Sequence, residues 1–353
     1  MQTGKRTPLY DWHMARGAKI VEFAGFDMPI EYVGVLAEHE AVRSSVGVFD
    51  VSHMGKIKVS GAAVAWLNDL LTNDLSALEN NKAQYSMLLT EQGGVVDDLL
   101  VYRIDENEVW LVPNASNAHK VFEILEQHIS DDVTIENHHN DFCIFAVQGP
   151  ESSGIVESLG LSSRMEYMSA MWKDFEGSRV LVCRSGYTGE QGFELIVPNA
   201  IAVKLWSTII ELGVHPIGLG ARDTLRLEMG YPLHGNDISE SITPLEAGLK
   251  WALGFSKPNF IGKGALESAS PRRKRYALKL VERGIPRGHM NVLSNGKVVG
   301  EVTSGGFSPT LKIGIALALV DVNLVETHVE IDIRGKMMAA EVVKLPFVKS
   351  SAR

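Results

Sequence analysis

The spacing of hydrophobic and polar positions changes along this chain of 353 residues, and each spacing predicts a type of element. Apolar residues at helical spacing predict helices over 36–45, 62–71, 115–128, 201–212 and 220–230. Alternating or short continuous apolar runs predict strands over 46–52, 56–60, 85–90, 95–104, 179–185 and 193–198. Helices and strands are mixed along residues 1–230, which is typical of an α+β protein.

The last eighty residues have a different pattern, in which short strands are separated by turns. Asn295-Gly296 and Arg334-Gly335-Lys336 have the composition of hairpin turns. Several short strands joined in this way predict a small antiparallel domain with a barrel-like fold. The basic stretch PRRKR at 271–275 is the predicted linker in front of it.

Length, charge and cysteine content limit the class of protein. At roughly 150 residues per domain, the chain is long enough for two or three domains. Its formal net charge of −9 argues against a general nucleic-acid-binding protein. Cys143 and Cys183 lack the spacing of a disulfide framework or a zinc finger, which suits a reducing compartment. The start is not a signal peptide and no apolar run approaches the roughly 20 residues that cross a bilayer, so we expect a cytoplasmic protein without a membrane partner.

Two neighbouring carboxylates, Asp97 and Asp98, lie in the apolar segment GGVVDDLLVY. Adjacent side chains of a strand point to opposite faces. If both faces are covered, at least one aspartate points into the protein or a cleft, where it needs a partner, a shifted pKa or a function. The alternative is a strand that starts later and leaves both aspartates in the turn.

Two further segments are candidates for ligand binding. In GYTGEQGFE (186–194), glycines allow the backbone to approach a ligand, and a glutamate can accept two hydrogen bonds from the edge of a planar ring; a structural hairpin is the alternative. GLGARDTLRLEMG (218–230) places Arg222 and Arg226 one helical turn apart, and its alternative is a surface ion-pair ladder with Asp223 and Glu228. It lacks the third glycine of a dinucleotide fingerprint.

These segments occur together with other motifs in a fixed order over more than 300 residues. The motifs are VEFAGFDMPIEY (21–32), EHEAVRSSVGVFDVSHMG (38–55), TNDLSAL, GGVVDDLLVYR, NASN, AVQGP, GYTGEQGFE, GLGARDTLRLEMG, GNDISESITPLEAGLKW, FIGK, VTSGGFSPTL and PFV. In this order and spacing the chain resembles the glycine cleavage T-protein family, which is the folate-binding family of aminomethyltransferases.

The resemblance implies a fold and a division into domains. The expected fold is a three-domain cloverleaf around a central folate site, with a C-terminal antiparallel β-barrel. The first domain is discontinuous and would comprise 1–50 and 141–229, the second 51–140, and the third 230–353.

The resemblance also implies roles for individual residues. Asp97, the first of the paired aspartates, matches the catalytic carboxylate of the family. Glu194 matches the glutamate that binds the pterin ring, and Arg222 the arginine of the same site. Other positions around the folate are matched by Tyr85, Asn114 and Tyr187. No metal is implied.

The reaction implied by the resemblance transfers a one-carbon unit. The methylene of an aminomethyl group, carried on the lipoyl arm of the H-protein, passes to tetrahydrofolate and gives 5,10-methylenetetrahydrofolate, ammonia and dihydrolipoyl H-protein. A positioned carboxylate can orient the folate and stabilise positive charge that develops on nitrogen. One position departs from the family: many relatives have Leu-Tyr-Gly where this chain has Leu233-His234-Gly235, so the role of that position is open.

Two other functions use the same scaffold. A folate-dependent demethylase would share the fold and the pterin glutamate, but the GGVVDDLLVYR segment favours the aminomethyl reaction. A folate-binding protein without catalysis would carry a Lys-Gly-Cys-Tyr type of signature near the domain junction. Here the junction, 235–249, has no cysteine, which argues against that alternative.

Overall fold

The computed structural model describes residues 4–324 and 327–352. The helices are α1 (Tyr10–Ala15), α2 (Val35–Ser44), α3 (Ala63–Leu70), α4 (Ala118–Gln127), α5 (Ser152–Ser158), α6 (Asn199–Glu211), α7 (Leu219–Met229) and α8 (Lys263–Ser268). The strands that precede the last domain are β1 (Lys19–Phe23), β2 (Phe26–Glu31), β3 (Gly47–Asp50), β4 (Ile57–Gly61), β5 (Lys82–Leu89), β6 (Val95–Arg103), β7 (Glu108–Pro113), β8 (Val133–Asn137), β9 (Phe142–Gln148), β10 (Ala170–Phe175), β11 (Ser178–Cys183), β12 (Gly192–Pro198) and β13 (His215–Ile217). They are followed by β14 (Arg273–Leu280), β15 (Asn291–Ser294), β16 (Lys297–Ser308), β17 (Ile313–Asp321), β18 (His328–Ile333) and β19 (Lys336–Val343).

Two open sheets contain the strands from β3 to β13, while β1 and β2 pair with each other. A six-stranded sheet has the order β10-β11-β12-β9-β3-β13, and a five-stranded sheet has the order β5-β6-β7-β4-β8. Along the chain, β3 of the six-stranded sheet comes before the strands of the five-stranded sheet, and its other strands come after them. The predicted elements between 36 and 230 are present, with bounds that differ by at most a few residues, so the α+β class is confirmed. The division into three domains with the bounds given above stays a prediction.

The last strands form a closed antiparallel barrel in the order β14-β17-β16-β15-β18-β19. Its interior is filled by small and branched apolar side chains such as Val292, Ala316 and Ile331, all of which are fully buried. Each large aliphatic side chain buried in this way contributes about 1.5–3 kcal/mol. The predicted barrel is confirmed, and both predicted turns connect paired strands, at 295–296 and 334–335.

The predicted linker at 271–275 is wrong for most of its length. Arg273, Lys274 and Arg275 are the first residues of β14, where they pair with Asp321, Val320 and Leu319 of β17. Backbone hydrogen bonds to β17 hold these residues in the strand whatever their side chains, and the following residues of β14 also pair with β19. The basic stretch therefore belongs to the wall of the barrel.

Both cysteines are buried free thiols, one in β9 and one in β11. Burial raises the pKa of the Cys143 thiol to about 12, so it is unreactive at neutral pH. Within the part of the chain that the structure describes, no helix has the length and apolar character that a membrane span requires.

Candidate active site

A cavity of about 410 Å³ lies where the two open sheets, α7 and the segment after it come together. The five-stranded sheet and the loops at its ends supply Tyr85, Asp98, Leu99 and Asn114. The side of the six-stranded sheet supplies Ser185, Tyr187 and Glu194, and α7 supplies Arg222. The segment that leads to the barrel closes the wall with Tyr231, Pro232, Leu233, Leu249 and Trp251. All five residues that the family resemblance assigns to folate binding therefore line one cavity, whereas Asp97 is not part of its wall.

The paired aspartates lie within β6 and not in the turn before it, so the alternative of a late strand start is wrong. Asp97 is fully buried. Its Oδ1 accepts hydrogen bonds from the Nδ2 atoms of Asn114 (2.9 Å) and Asn117 (2.6 Å). Its Oδ2 accepts a hydrogen bond from the backbone N–H of Asn114 (2.8 Å). Asp98 faces the cavity, where its Oδ2 accepts from the Tyr85 hydroxyl at 3.0 Å and its Oδ1 from Asn114 Nδ2 at 2.8 Å. Because side chains alternate along the strand, Asp98 lines the cavity and Asp97 lies outside its wall.

Burial makes it costly to ionise both aspartates. Burial and the neighbouring charge of Asp98 raise the pKa of Asp97 to about 8, against the opposing effect of its hydrogen-bond donors. Burial also raises the pKa of Asp98, opposed by His234 and the Tyr85 hydroxyl. A positive charge in the cavity beside Asp98 would lower the pKa of that carboxyl and stabilise its ionised form.

His234, the position that departs from the family, belongs to the hydrogen-bond network behind the aspartates. The Asn117 amide nitrogen lies 2.6 Å from Asp97 Oδ1 and 3.0 Å from His234 Nδ1. Since this NH₂ group can donate to both, Nδ1 accepts and the other ring nitrogen carries the proton. His234 Nε2 is accordingly the donor to the backbone oxygen of Val95, at 3.1 Å. The imidazole thus links the start of β6 to the amide that holds Asp97.

Glu194 is held through only one of its two oxygens. Its Oε2 accepts hydrogen bonds from the hydroxyls of Ser185 (2.6 Å) and Tyr102 (3.3 Å), and both of those residues are buried. No side chain or backbone group of the described residues donates to Oε1. One oxygen therefore fixes the orientation of the carboxylate, and the other remains available to a donor on a ligand.

Arg222 approaches the cavity from α7 with its guanidinium 4.6 Å from the centre of the Tyr187 ring. In residues 4–324 and 327–352 it forms no side-chain hydrogen bond or ion pair. The Tyr187 ring also stacks on Tyr231, with 5.6 Å between the ring centroids, and its hydroxyl donates to the backbone oxygen of Pro232. A cationic group and an aromatic surface are thus presented together.

The alternative reading of the arginine helix as a surface ion-pair ladder is wrong. Arg226 is buried and pairs with Asp237 at 3.0 Å as well as with Asp223. Glu228 is also buried and pairs with Arg43 at 2.7 Å. These charges hold α7 to its surroundings, and Arg222 is left for the cavity.

The segment GYTGEQGFE is part of a hairpin and also part of the cavity wall. It includes the connection of the hairpin between β11 and β12, and Gly186, Tyr187 and Glu194 line the cavity. Gly189 has a φ of +80°, and a Cβ atom built there would lie 2.0 Å from the sulfur of Met229. The turn therefore needs glycine to pack against α7.

The sequence does not identify His53 and Trp251 as parts of the cavity. His53 is buried in the wall with its ring 5.5 Å from that of Phe23, and burial lowers its pKa to about 3. Trp251 lies on Tyr85 with ring centroids 5.3 Å apart, although 66% of its surface is exposed. The motif DVSHMG contains the histidine, but nothing in its spacing indicates which cavity the ring faces.

Comparison with known proteins gives the family of this fold and site. The model of the GCVT N-terminal domain matches residues 9–257, and that of the glycine cleavage T-protein C-terminal barrel domain matches residues 273–349. The chain belongs to the glycine cleavage T-protein family. It is 48% identical to an aminomethyltransferase of Parafrankia sp. (strain EAN1pec) over 361 residues, covering 99% of both chains. It is 45% identical to an aminomethyltransferase of Chlorobaculum tepidum over 359 residues, covering 98% of both.

A solved structure agrees with this membership. The crystal structure of the glycine cleavage system aminomethyltransferase T from Bartonella henselae superposes with a TM-score of 0.93 at 37% sequence identity, over 99% of each chain. The mixed sheets and the C-terminal barrel are therefore those of a T-protein of this family.

Proposed function

We propose that this member of the T-protein family is an aminomethyltransferase that uses tetrahydrofolate. It transfers the methylene of an aminomethyl group from the lipoyl arm of the H-protein to tetrahydrofolate and releases 5,10-methylenetetrahydrofolate, ammonia and dihydrolipoyl H-protein. The observation that supports this most strongly is the cavity, in which Glu194 Oε1 and the Arg222 guanidinium lack hydrogen-bond partners among the described residues and Asp98 forms part of the same wall.

The cavity residues fit a reduced pterin. Its 2-amino and ring N–H groups are donors that suit the free oxygen of Glu194, and its ring acceptors suit the guanidinium of Arg222. The Tyr187 ring offers an aromatic face beside them. The remaining wall contains apolar side chains such as Leu99 and Ile144, which suit the flat faces of a heterocycle.

Asp98 is the carboxylate that we propose to act at the reacting nitrogen. The transfer forms bonds from the methylene carbon to N5 and N10 of the folate and breaks its bonds to sulfur and to the amino nitrogen. Positive charge develops on nitrogen, and a fixed carboxylate in the wall stabilises it without reorganisation. The catalytic assignment of Asp97 stays a prediction from the sequence; its saturated hydrogen bonds and its position outside the wall favour a supporting role for it.

The H-protein is the proposed partner, and the start of β14 is its proposed dock. The family resemblance implies an acidic lipoyl carrier, so a chain of net charge −9 needs a local basic patch. Arg272 and Lys274 are exposed, with Arg283 and Arg287 nearby in sequence. Arg273 pairs with Glu246 at 3.1 Å and contributes less free charge. Steering by such a patch raises association rates and weakens with salt.

Ammonia release from aminomethylated H-protein tests the proposed function. The purified chain should release ammonia only when both the loaded carrier and tetrahydrofolate are present, and omission of either should abolish the release. Tetrahydrofolate-dependent demethylation of a sulfonium or aryl-ether methyl donor, without ammonia release from the carrier, would favour the demethylase instead.

The cytoplasmic location stays a prediction.

A further inference from the structure

Arg275, the last residue of the basic stretch, is a half-buried cation without an anionic partner. Its Nη1 donates to the backbone oxygen of Gly230 at 3.3 Å, and its backbone N–H donates to the oxygen of Glu246 at 2.7 Å. Among residues 4–324 and 327–352, no carboxylate oxygen lies within 4.0 Å of its guanidinium. A guanidinium has five N–H donors, so most of its capacity for hydrogen bonding is unused by these contacts.

The guanidinium lies beside the cavity. Gly230 is followed by Tyr231 and Gly248 by Leu249, and both of these following residues belong to the cavity wall. A Cβ atom built on Gly248 would be 3.8 Å from Arg275 Nη2 and 3.9 Å from its Nε. The side chain is therefore next to the lining at the point where the chain enters the barrel.

Electrostatic effects agree with this location. Burial lowers the pKa of the Arg275 guanidinium, while Asp237, Tyr85 and Tyr187 act in the opposite direction. In turn, the charge of Arg275 lowers the pKa of Tyr85, against the dominant effect of burial. The two tyrosines are cavity residues, so a carboxylate bound near them would be within the influence of this cation.

The other basic residues of the stretch have different surroundings. Arg272 is exposed, Arg273 pairs with Glu246, and Lys274 is exposed with its ammonium 4.8 Å from the centre of the Tyr276 ring. A partly desolvated cation without a counter-ion is costly, and a ligand carboxylate would offset that cost. Arg275 also lies at the C-terminus of α7, where a cation is favoured by the helix dipole; this structural role is the alternative to a ligand contact.

The charged residues of the cavity wall indicate which end of a ligand lies near Arg275. Glu194 and Asp98 are the carboxylates of the wall, and they disfavour a second anion beside them. Arg275 supplies positive charge near Tyr85, on which the exposed ring of Trp251 lies. A ligand whose heterocycle lies at Glu194 and Arg222 and whose carboxylate is at its far end matches this arrangement when that carboxylate lies near Arg275.

We propose that Arg275 binds a carboxylate of the glutamyl tail of the folate substrate and is a specificity-determining residue for that tail. The inference rests on the proposed function, which requires that the cavity accepts a folate. It assigns the recognition of the pterin to Glu194 and Arg222, and the recognition of the tail to the first strand of the barrel.

Calorimetric titration with tetrahydrofolate and with tetrahydropteroate, which lacks the glutamate, tests this assignment under anaerobic conditions. The wild-type protein should bind tetrahydrofolate about tenfold more tightly, as expected for one charge-assisted contact. Arg275→Gln should weaken tetrahydrofolate binding about tenfold and leave tetrahydropteroate binding unchanged, so that the preference disappears. Arg275→Lys, which keeps the charge without the planar fork, should retain part of the preference.

Lys297→Gln is the matched control, because it removes an exposed positive charge from the same barrel and should leave both affinities unchanged. An equal loss of affinity for both ligands in Arg275→Gln would assign the residue to the structure of α7 and overturn the proposal, as would unchanged binding of both. If Arg275→Gln melts far below the wild type, Arg275→Lys decides by the same comparison. Wild-type protein that binds neither ligand would overturn the proposed function together with this inference, whereas tight binding of both without a preference would overturn the inference alone.

Discussion

Glu194 and Asp98 are two carboxylates of one cavity wall, and their hydrogen bonds differ. Glu194 accepts from two buried hydroxyls on one oxygen and keeps the other free. Asp98 accepts on both oxygens, from Tyr85 and from the amide of Asn114. The first arrangement suits a binding contact in which a ligand donor completes the shell. The second suits a charge held in one place while another charge develops near it.

Replacing Glu194 by Gln tests the binding contact. The change removes a charged acceptor and puts an amide donor among the hydroxyls of Ser185 and Tyr102. We expect tetrahydrofolate binding to weaken by roughly 1–3 kcal/mol, measured by calorimetry. The conservative change should leave the melting temperature close to that of the wild type. An unchanged dissociation constant would leave GYTGEQGFE as a structural hairpin with no contact to the pterin.

The pair Asp98→Asn and Asp97→Asn separates the lining carboxylate from the supporting one. Asp98→Asn should lower turnover by about 100-fold or more, because it neutralises a preorganised charge at the reacting nitrogen. Asp97→Asn should act mainly by disturbing the hydrogen bonds of Asn114 and Asn117, with a smaller effect on turnover. Both are measured as ammonia release at saturating tetrahydrofolate.

The two variants act as controls for each other, because they remove the same charge from adjacent residues of β6. Tetrahydrofolate affinity measured beside turnover shows whether a loss arises in binding or in the chemical step. If Asp97→Asn is the more damaging change and folate affinity is kept in both, the assignment drawn from the family resemblance holds and Asp98 is the supporting residue.

At the scale of elements, the start of β6 decides where the aspartates lie. The backbone N–H of Val95 donates to the backbone oxygen of Ser239 at 2.8 Å. Gly94 lies against Glu240, the residue after Ser239, and a Cβ atom added to this glycine would be 1.8 Å from the backbone oxygen of Glu240. Only glycine allows this approach of two backbones. The segment that leads to the barrel is in this way fixed to the strand that carries Asp97 and Asp98.

Gly94→Ala should therefore destabilise the protein and displace β6. We expect a loss of about 2–3 kcal/mol, as for other changes that force backbone shifts in a packed region, measured by urea unfolding, together with reduced turnover. Gly154→Ala is the matched control: it lies in α5 with no atom within 4 Å of the added Cβ and should be neutral or stabilising by up to about 1 kcal/mol. Equal stability of the two variants would contradict the close packing at Glu240.

The elements with local signals could be predicted from the sequence, and those that depend on distant pairing could not. Asn295-Gly296 marks a turn through its own backbone preferences. By contrast, β9 is a continuous apolar run, and periodicity alone cannot distinguish such a run from a buried helix. The charged residues of 271–275 do not have the pattern of a strand, because the start of β14 is fixed by its pairing with β17. In the same way, the motifs of the family resemblance indicate five positions for folate, but the exposed Trp251 joins these residues in the cavity wall only through tertiary packing.

At the scale of the whole molecule, buried charges join the barrel to the sheets around the cavity. Glu228 of α7 pairs with Arg43 of α2 at 2.7 Å, and its other oxygen accepts from the Ser308 hydroxyl (2.6 Å) and the Thr310 backbone N–H (3.1 Å) of the barrel side. Burial of such a group is tolerated because each oxygen has several donors. The helix that carries Arg222 is thus positioned from both sides.

The proposed carrier dock on the barrel is tested by charge reversal. Arg272→Glu combined with Lys274→Glu should raise the apparent KM for aminomethylated H-protein by about tenfold at low salt and flatten its salt dependence. The affinity for tetrahydrofolate should not change. Lys297→Glu combined with Lys336→Glu, two exposed lysines of the same barrel, is the control for net charge. A KM that shifts equally in both pairs would assign the effect to overall charge and move the dock elsewhere.

The central claim, transfer of the carrier's methylene to tetrahydrofolate in this cavity, is tested most directly by following the carbon itself. H-protein carrying a ¹³C-labelled aminomethyl group is mixed with tetrahydrofolate and a catalytic amount of the protein, and the label is observed by NMR while ammonia is measured. The account predicts that the label appears in the methylene bridge of 5,10-methylenetetrahydrofolate with one ammonia released per carbon, and that Asp98→Asn slows both signals together. Label that stays on the carrier, or that appears as a methyl group on the folate, would contradict it.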